Sequence, residues 1–233
     1  MFIDSLSDGM RALGIKKLKI GIMEQLELFY SIFLDWNSRL NLSSLKGEDD
    51  TIEKHFLDSL LLGSHLTGKK GIDVGSGGGF PGLILAIANP ENKFTLVESI
   101  GKKCKFLKFA KEKLKLTNVE VINGRAETLE LSSNSNNDFA TARAVASLAV
   151  TLEYVAPLLK IGGEYIAQKS SKFEEELELS KKSSNILGME FKKIVKYILP
   201  SSGIERSLII FEKSRETPNS YPRKVGMARK KPL

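Results

Sequence analysis

The sequence predicts an α/β fold of the nucleotide-binding type, and three observations support this. An apolar strand over residues 71–74 runs into a loop with five glycines between Gly75 and Gly82. The apolar segment 83–88 that follows has a helical pattern, and Pro81 stands at its start, where proline costs a helix little. Further apolar strands then alternate with helical segments as far as residue 168, which is typical of a mostly parallel sheet.

Composition indicates a globular protein. Of the 233 residues, 42% are hydrophobic and 27% are charged, and no apolar run approaches the roughly 18 residues of a membrane span. Residues 1–5 lack the pattern of a signal peptide, and the single cysteine, Cys104, excludes an internal disulfide. We therefore expect a cytoplasmic protein without membrane association.

Residues 1–66 are expected to form a helical N-terminal extension. Apolar residues recur at steps of three and four in the stripe Leu18, Ile22, Leu26, Phe29, Phe33 and Trp36. Thr51 is a candidate cap for the next helix. On that helix His55 and Asp58 share a face, where a surface hydrogen bond is a more frequent arrangement than a catalytic pair.

The glycine loop allows three interpretations. A phosphate-binding P-loop is excluded, because no Gly-Lys-Ser/Thr follows the glycines. Gly77, Gly79 and Gly82 satisfy the dinucleotide pattern G-x-G-x-x-G, which is a weak signal alone. Asp73 precedes the loop, however, and an acid there repels a pyrophosphate but suits the cationic groups of S-adenosylmethionine. Glu98 ends the next strand, 23 residues after Gly75, where an acid can meet ribose hydroxyls. The pattern favours S-adenosylmethionine over NAD.

Other polar residues are predicted to border the same crevice. Lys102 and Lys103 begin a lysine-rich helix just after Glu98 and are candidates for phosphate contacts. Ala126 and Glu127 follow the third strand, where an adenine edge can be recognised, although this signal is weak. Arg143 ends the fourth strand. A helix is expected over 148–159, and the fifth strand over 164–168 ends at Lys169. Ligands bind at the carboxyl ends of parallel strands.

The C-terminal segment is strongly basic. Residues 213–233 carry seven basic side chains and one acid, so most of the net charge of +7 lies there. Such a segment is more often an arm that binds a polyanion than part of a core, and a disordered solubilising end is the alternative. We accordingly expect deletion of residues 214–233 to weaken binding of a polyanion more than cofactor binding.

The acceptor of the methyl group is constrained by what the sequence lacks. A cytosine-carbon methyltransferase needs a catalytic cysteine, and Cys104 lies within a helix. Adenine-amino enzymes carry Asn/Asp-Pro-Pro-aromatic after the fourth strand, where this chain has Ala142-Arg-Ala-Val. A ring nitrogen such as guanine N7 has a free lone pair and no proton, so its attack needs placement but no general base. The lack of a catalytic cysteine and of the adenine-amino motif is compatible with a guanine N7 acceptor.

A set of motifs resembles the bacterial RsmG (GidB) family. They are Asn41-Leu-Ser-Ser-Leu, His55-Phe-Leu-Asp-Ser, Asp73-Val-Gly-Ser-Gly-Gly-Gly-Phe-Pro-Gly, Glu98-Ser-Ile-Gly-Lys-Lys, Arg143-Ala-Val-Ala-Ser and the terminal Tyr221-Pro-Arg-Lys with Lys-Lys-Pro-Leu. The resemblance spans nearly the whole chain. It departs at Lys169-Ser170, where the family has lysine-glycine, and at Glu205-Arg-Ser, where the family often has Glu-Arg-His.

The resemblance implies an S-adenosylmethionine-dependent enzyme that methylates guanine N7 in 16S ribosomal RNA. It also implies a class I methyltransferase fold, a seven-stranded, mostly parallel sheet ending in an antiparallel hairpin. The expected parts are the extension 1–66, a methyltransferase domain over 67–213 and the tail 214–233. The partner is 16S ribosomal RNA or the small ribosomal subunit. No metal is expected, and a monomer is assumed.

The site residues follow from the resemblance and from the patterns above. Arg143 is the best catalytic candidate. The cofactor is expected to contact Asp73, Gly75, Gly77, Phe80, Ala126, Glu127 and Arg143, with its ribose on Glu98. RNA is expected to contact His55, Lys102, Lys103, Lys169, Arg223, Lys224, Lys230 and Lys231. Two alternatives remain: a non-catalytic RNA-binding assembly factor, and an NAD-linked oxidoreductase.

Overall fold

A computed structural model describes residues 2–45, 47–129, 135–171 and 173–233. Its sheet has seven strands in the order β3-β2-β1-β4-β5-β7-β6. The strands are β1 (Lys70–Val74), β2 (Lys93–Glu98), β3 (Val119–Asn123), β4 (Asn137–Arg143), β5 (Leu159–Ser170), β6 (Met189–Ile198) and β7 (Glu205–Lys213). Strands β1 to β5 pair in parallel, and β7 is antiparallel to both of its neighbours. The predicted parallel sheet with a closing hairpin is confirmed.

Helices connect the strands and precede them. They are α1 (Phe2–Ala12), α2 (Ile20–Leu40), α3 (Glu48–Thr51), α4 (Asp58–Gly63), α5 (Gly82–Ala88), α6 (Gly101–Lys113), α7 (Leu148–Val155), α8 (Glu174–Leu187) and α9 (Met227–Lys230). A π-helical segment, Ile52–Leu57, joins α3 to α4, and 3₁₀ turns occupy Ala126–Thr128 and Ala156–Leu158. Among the described residues no helix is long and apolar enough to cross a membrane.

Three boundaries differ from the sequence-based expectations. The predicted cap at Thr51 is wrong, because α3 begins at Glu48 and the Thr51 hydroxyl donates to the Gly47 carbonyl inside it. The helix expected over 148–159 ends as α-helix at Val155, since Pro157 lies in the 3₁₀ turn that follows. Strand β5 then starts at Leu159, five residues before the expected strand at Glu164.

Two apolar clusters cover the two faces of the sheet. Side chains alternate between them along each strand, so Phe94 and Leu96 face one cluster and Val97 faces the other. The first cluster includes the N-terminal helices: the Phe29 ring of α2 lies 5.5 Å from Phe80 and 6.4 Å from Phe106. The helical extension is thus packed on the core, and its rings lie next to the glycine loop.

Candidate active site

A cavity of about 560 Å³ opens at the carboxyl ends of the parallel strands. This is the edge at which open α/β sheets bind ligands. Four parts of the chain line it: the glycine loop with Phe80, the segment from the end of α2 to the start of α4, the first turn of α6, and the ends of β4 and β5 with the start of β7. The lining residues include Ser43, Lys54, His55, Asp58, Gly75, Gly77, Phe80, Lys103, Arg143, Gln168, Lys169 and Arg206.

Backbone hydrogen bonds to β2 fix the start of the glycine loop, and the space beside Gly77 is open. The N–H groups of Gly75 and Ser76 both donate to the carbonyl of Val97, at 2.8 and 3.1 Å. Gly75 has φ +78°, and a Cβ there would lie 2.5 Å from the Val145 side chain. Gly77 has φ +56°, and a Cβ there would meet only the Gly75 carbonyl oxygen, at 3.7 Å. The backbone at Gly77 is therefore free to receive a ligand at close range.

Glu98 supports the loop from the end of β2. One carboxylate oxygen accepts the Gly77 N–H at 2.9 Å and the other accepts the Ile100 N–H at 2.7 Å. A carboxylate oxygen can accept two hydrogen bonds, so each oxygen keeps one acceptor position. The side chain is 5% exposed and is not among the described residues that line the cavity, but it lies directly behind Gly77, which does line it.

Asp73 lies beneath the loop. Its carboxylate accepts the Thr141 hydroxyl at 2.8 Å and the Gly82 N–H at 3.2 Å, and it is not among the described residues that line the cavity. Burial raises the pKa of Asp73 to about 6, against the hydrogen bonds from Thr141 and Ser76 that lower it. The position argues for support of the loop rather than for the direct cofactor contact expected from the sequence.

His55 is part of the cavity wall. Its ring stacks on Phe80 with centroids 4.3 Å apart. Arg143 approaches Nδ1 at 2.9 Å, and because a guanidinium can only donate, Nδ1 is the acceptor. The Nε2–H then donates to the Ser43 hydroxyl at 2.7 Å. Burial, followed by the charge of Arg143, lowers the pKa of His55 to about 3, so the ring is neutral at physiological pH.

The structure changes the interpretation of His55 and Asp58. These residues do not form the surface hydrogen bond that is more frequent for such a pair, because both are buried, with 9% and 2% of their surface exposed. Each has other partners, and both line the cavity. The predicted contact of His55 with RNA cannot be electrostatic, since the ring carries no charge. The π-helical segment that holds His55 is a rare geometry, found mostly at functional sites.

Asp58 has donors and cations on both sides. The Tyr197 hydroxyl donates to one carboxylate oxygen at 2.5 Å. Guanidinium nitrogens of Arg143 and Arg206 lie 3.6 and 3.9 Å from the other. Burial raises the pKa of Asp58, and the arginines and the tyrosine hydrogen bond oppose that rise. The surrounding donors and positive charges favour the carboxylate form.

The charge of the cavity lining is mainly positive. Its cations are Lys54, Lys103, Arg143, Lys169 and Arg206, and Asp58 is the one carboxylate among the described lining residues. Converging positive charge in a cleft attracts a polyanion. Lys169 is partly engaged, because its ammonium contacts Glu176 at 2.6 Å and the Ala146 carbonyl at 3.1 Å. Lys102 is exposed at the start of α6.

The C-terminal tail is folded against the body, contrary to the alternative of a disordered end. Arg223 makes paired hydrogen bonds to Glu153, which is 1% exposed, with the shortest at 2.6 Å. The Gly226 N–H donates to Glu127 at 3.2 Å, and Arg229 donates to the Val145 carbonyl at 3.0 Å. The guanidinium of Arg223 is thus committed to an internal ion pair, which argues against its predicted RNA contact.

The remaining residues predicted to bind the cofactor or RNA lie outside the cavity lining or on the tail. Ala126 is buried and Glu127 is bound to the tail, and neither is among the described residues that line the cavity. Lys224, Lys230 and Lys231 are exposed on the tail and remain available to a polyanion. No group of three metal-ligating side chains occurs in the described part of the chain.

Sequence reasoning missed four lining residues that complete the site. Ser43 and Lys54 lie in the N-terminal region, Gln168 lies two residues before the end of β5, and Arg206 is the second residue of β7. For Gln168 a signal existed, since it is the last residue of the strand predicted over 164–168. Arg206 carried no local signal, because its place depends on how the hairpin returns to the sheet.

The site fits S-adenosylmethionine. Gly77 offers a cradle that a Cβ would narrow, and Glu98 offers acceptor positions to ribose hydroxyls beside it. The fold and this site define a class I S-adenosylmethionine-dependent methyltransferase. Similar solved structures have the same fold. M. jannaschii TYW2 in complex with AdoMet matches with a TM-score of 0.58 at 17% identity, over 75% of this chain and 81% of that one. Aeropyrum pernix fibrillarin, with natively bound S-adenosyl-L-methionine, matches with a TM-score of 0.50 at 17% identity, over 63% and 67%.

Sequence comparison identifies the family. The family model of rRNA small subunit methyltransferase G (GidB) matches residues 22–207. Ribosomal RNA small subunit methyltransferase G of Carboxydothermus hydrogenoformans is 42% identical over 95% of this chain and 94% of its own length. Its counterpart in Fusobacterium nucleatum is 44% identical over 94% and 97%. The chain belongs to the GidB family, and the resemblance predicted from its motifs is confirmed.

Proposed function

We propose that this protein transfers the methyl group of S-adenosylmethionine to N7 of a guanine in 16S ribosomal RNA. The observation that carries the proposal is one cavity that joins the open glycine loop at Gly77 to a cationic half containing Arg143 and Arg206. The loop half fits the cofactor, and the cationic half fits an RNA substrate. Family membership supplies the RNA, since the relatives are named for methylation of small-subunit ribosomal RNA.

The chemistry of the cavity favours an acceptor that has no proton to lose. His55 is a poor base, because both ring nitrogens are hydrogen-bonded and its pKa is about 3. Asp58 is held by Tyr197 and flanked by two arginines. Neighbouring side chains engage both residues, and a guanine N7 lone pair requires no general base.

The residues of the cavity act by placing and stabilising the reactants. S-adenosylmethionine supplies an electrophilic methyl group on a sulfonium. When bound, it would give this methyl group to N7 and leave as a neutral thioether. The loop at Gly77 and the carboxylate of Glu98 would hold the cofactor, and the cations around Arg143 would hold the RNA. Proximity and alignment then provide most of the rate enhancement.

Methyl incorporation separates this proposal from non-catalytic RNA binding. Purified protein is incubated with radiolabelled S-adenosylmethionine and either protein-free 16S ribosomal RNA or small subunits from cells that lack the enzyme. Label in the RNA supports the proposal, and binding of both partners without label in either substrate favours an assembly factor. Binding of NAD in place of S-adenosylhomocysteine would favour an oxidoreductase.

We also propose that the enzyme acts as a monomer in the cytoplasm, where its substrate is made.

A further inference from the structure

Gln168 presents a buried acceptor that has no partner. Its Nε2 donates to the Asp58 carbonyl at 2.8 Å and to the Tyr197 hydroxyl at 3.0 Å. A carbonyl can only accept, so the amide nitrogen must face it and the orientation of the amide is fixed. The Oε1 atom then has no hydrogen-bond partner among the described residues, although the side chain is 6% exposed and lines the cavity.

Asp58 provides a second acceptor next to it. One carboxylate oxygen is taken by the Tyr197 hydroxyl, which itself accepts from Gln168. The other oxygen faces the guanidinium nitrogens of Arg143 and Arg206 at 3.6 and 3.9 Å, beyond the length of a normal hydrogen bond. Tyr197 therefore locks both side chains in place and leaves one acceptor position on each.

An unpartnered amide oxygen beside a carboxylate oxygen that is engaged only by ion pairs suits a ligand that has two neighbouring donors. A buried polar atom without a partner costs about 1–3 kcal/mol, and functional sites are one place where that cost is tolerated. Among the RNA bases, guanine carries adjacent donors, N1–H and the 2-amino group, on its Watson–Crick edge. Adenine, cytosine and uracil place acceptors beside their donors on that edge.

We propose that Asp58 and Gln168 bind the Watson–Crick edge of the acceptor guanine, with Asp58 taking N1–H and Gln168 Oε1 taking the 2-amino group. This inference rests on the proposed function and adds to it a source of base specificity. With that edge held near β5, N7 lies on the opposite side of the purine and can face the glycine loop across the cavity.

The proposed hydrogen bonds from guanine to Asp58 and Gln168 also strengthen as the methyl group is transferred. Methylation at N7 leaves a positive charge on the purine, which makes N1–H and the 2-amino group better donors. A carboxylate at this edge therefore binds the transition state more tightly than the neutral base, and that difference is what accelerates a reaction. No proton leaves the base in this scheme.

Inosine tests the contact to Gln168, because it lacks only the 2-amino group. Two RNA substrates are prepared, with guanosine or inosine at the methylated position, and kcat/KM is measured for wild type and variants. We expect wild type to prefer guanosine on the order of tenfold to a hundredfold. Gln168→Leu is expected to lose activity on guanosine and to show a preference close to one. Gln25→Leu, at the other glutamine of the chain, is expected to keep the wild-type preference.

Binding of S-adenosylhomocysteine controls for folding. If Gln168→Leu loses that affinity, Gln168→Met, which keeps the length of the side chain without the acceptor, replaces it. Equal rates of wild type on the two RNAs, or an undiminished preference in a folded Gln168 variant, would overturn the inference and leave the proposed function standing. Failure of wild type to methylate either RNA would overturn the proposed function, and the inference with it.

Discussion

The guanidinium of Arg143 donates to Nδ1 of His55 at 2.9 Å, and this bond links β4 to the π-helical segment across the cavity. It fixes the histidine tautomer, and the stack on Phe80 fixes the plane of the ring. The second guanidinium nitrogen donates to the Lys54 carbonyl at 2.9 Å, so the arginine holds two successive residues. The N-terminal region thereby becomes a fixed wall of the active site.

The first prediction concerns pH. The pKa of His55 is about 3 in the folded protein and 6.5 in the unfolded chain, so between these pH values the unfolded chain binds one more proton than the folded protein. Its contribution to stability is complete above pH 6.5 and is lost as pH falls from there towards 3. Between pH 7 and pH 5 wild type should lose about 2 kcal/mol more than His55→Gln. Urea unfolding at both pH values measures this.

His65→Gln separates the effect of the only other histidine. Equal losses in wild type and His55→Gln would show that His55 takes up a proton in the folded state as readily as in the unfolded one.

The second prediction concerns Arg143. Its side chain contacts His55, the Lys54 carbonyl and Asp58, so Arg143→Ala leaves the buried Asp58 with less compensation. We expect a loss of about 3 kcal/mol in the free energy of unfolding, together with impaired methyl transfer. Arg143→Lys keeps the charge without the planar guanidinium and tests the role of the paired hydrogen bonds. Near-normal turnover of Arg143→Ala would remove Arg143 from the site, whereas near-normal turnover of Arg143→Lys would show that its charge suffices.

Arg39→Ala is the matched control for that experiment. Its side chain is exposed and pairs with Asp35 on the surface of α2, where such pairs contribute at most about 1 kcal/mol. Methyl transfer should be unchanged.

The third prediction concerns the glycine loop. Gly77→Ala should cost about 1 kcal/mol of stability for its positive φ, because no atom would clash with the new Cβ. Affinity for S-adenosylhomocysteine should fall by about tenfold or more, since the methyl group occupies the space of the ligand. Gly14→Ala, with φ +66° and open space around it, carries the same backbone cost far from the site. If calorimetry finds equal affinity in both variants, the cofactor does not approach Gly77.

The fourth prediction concerns the tail. Arg223→Ala removes the partner of Glu153, a carboxylate that is 1% exposed, and should cost about 3–5 kcal/mol. Deletion of 214–233 therefore disrupts the fold and does not isolate RNA binding, which changes the expectation from sequence. Joint replacement of Lys224, Lys230 and Lys231 by alanine is the cleaner test.

That triple variant should keep its melting temperature and its affinity for S-adenosylhomocysteine. RNA affinity and its salt dependence should both decrease, because the three exposed charges no longer displace counterions. An unchanged salt dependence would remove the tail lysines from the RNA-binding surface.

Local patterns explain what the sequence predicted well. Alternating apolar residues place the strands, glycines with positive φ mark the loop at Gly75 and Gly77, and an acid at a strand end identifies Glu98. Each of these signals lies within a few residues of the feature it predicts. The sheet order then follows from the short connections between successive elements.

The acceptor half of the cavity depends on contacts between distant parts of the chain. Gln168 meets Asp58 across 110 residues, and Tyr197 meets Asp58 across 139. Arg223 pairs with Glu153 across 70 residues, so one arginine of the basic tail is engaged in an internal ion pair. Composition reports the charge of such residues but not their partners, and so it could not show that Arg223 is engaged inside the protein.

The atom that receives the methyl group tests the central claim most directly. Ribosomal RNA methylated by the purified enzyme is digested to nucleosides, and the product is identified by mass spectrometry against 7-methylguanosine, 1-methylguanosine and N²-methylguanosine standards. We predict 7-methylguanosine as the single new product, because N7 needs no general base and the Watson–Crick edge is assigned to Asp58 and Gln168. Methylation at N1 or the 2-amino group, on the edge assigned to those residues, would contradict the account.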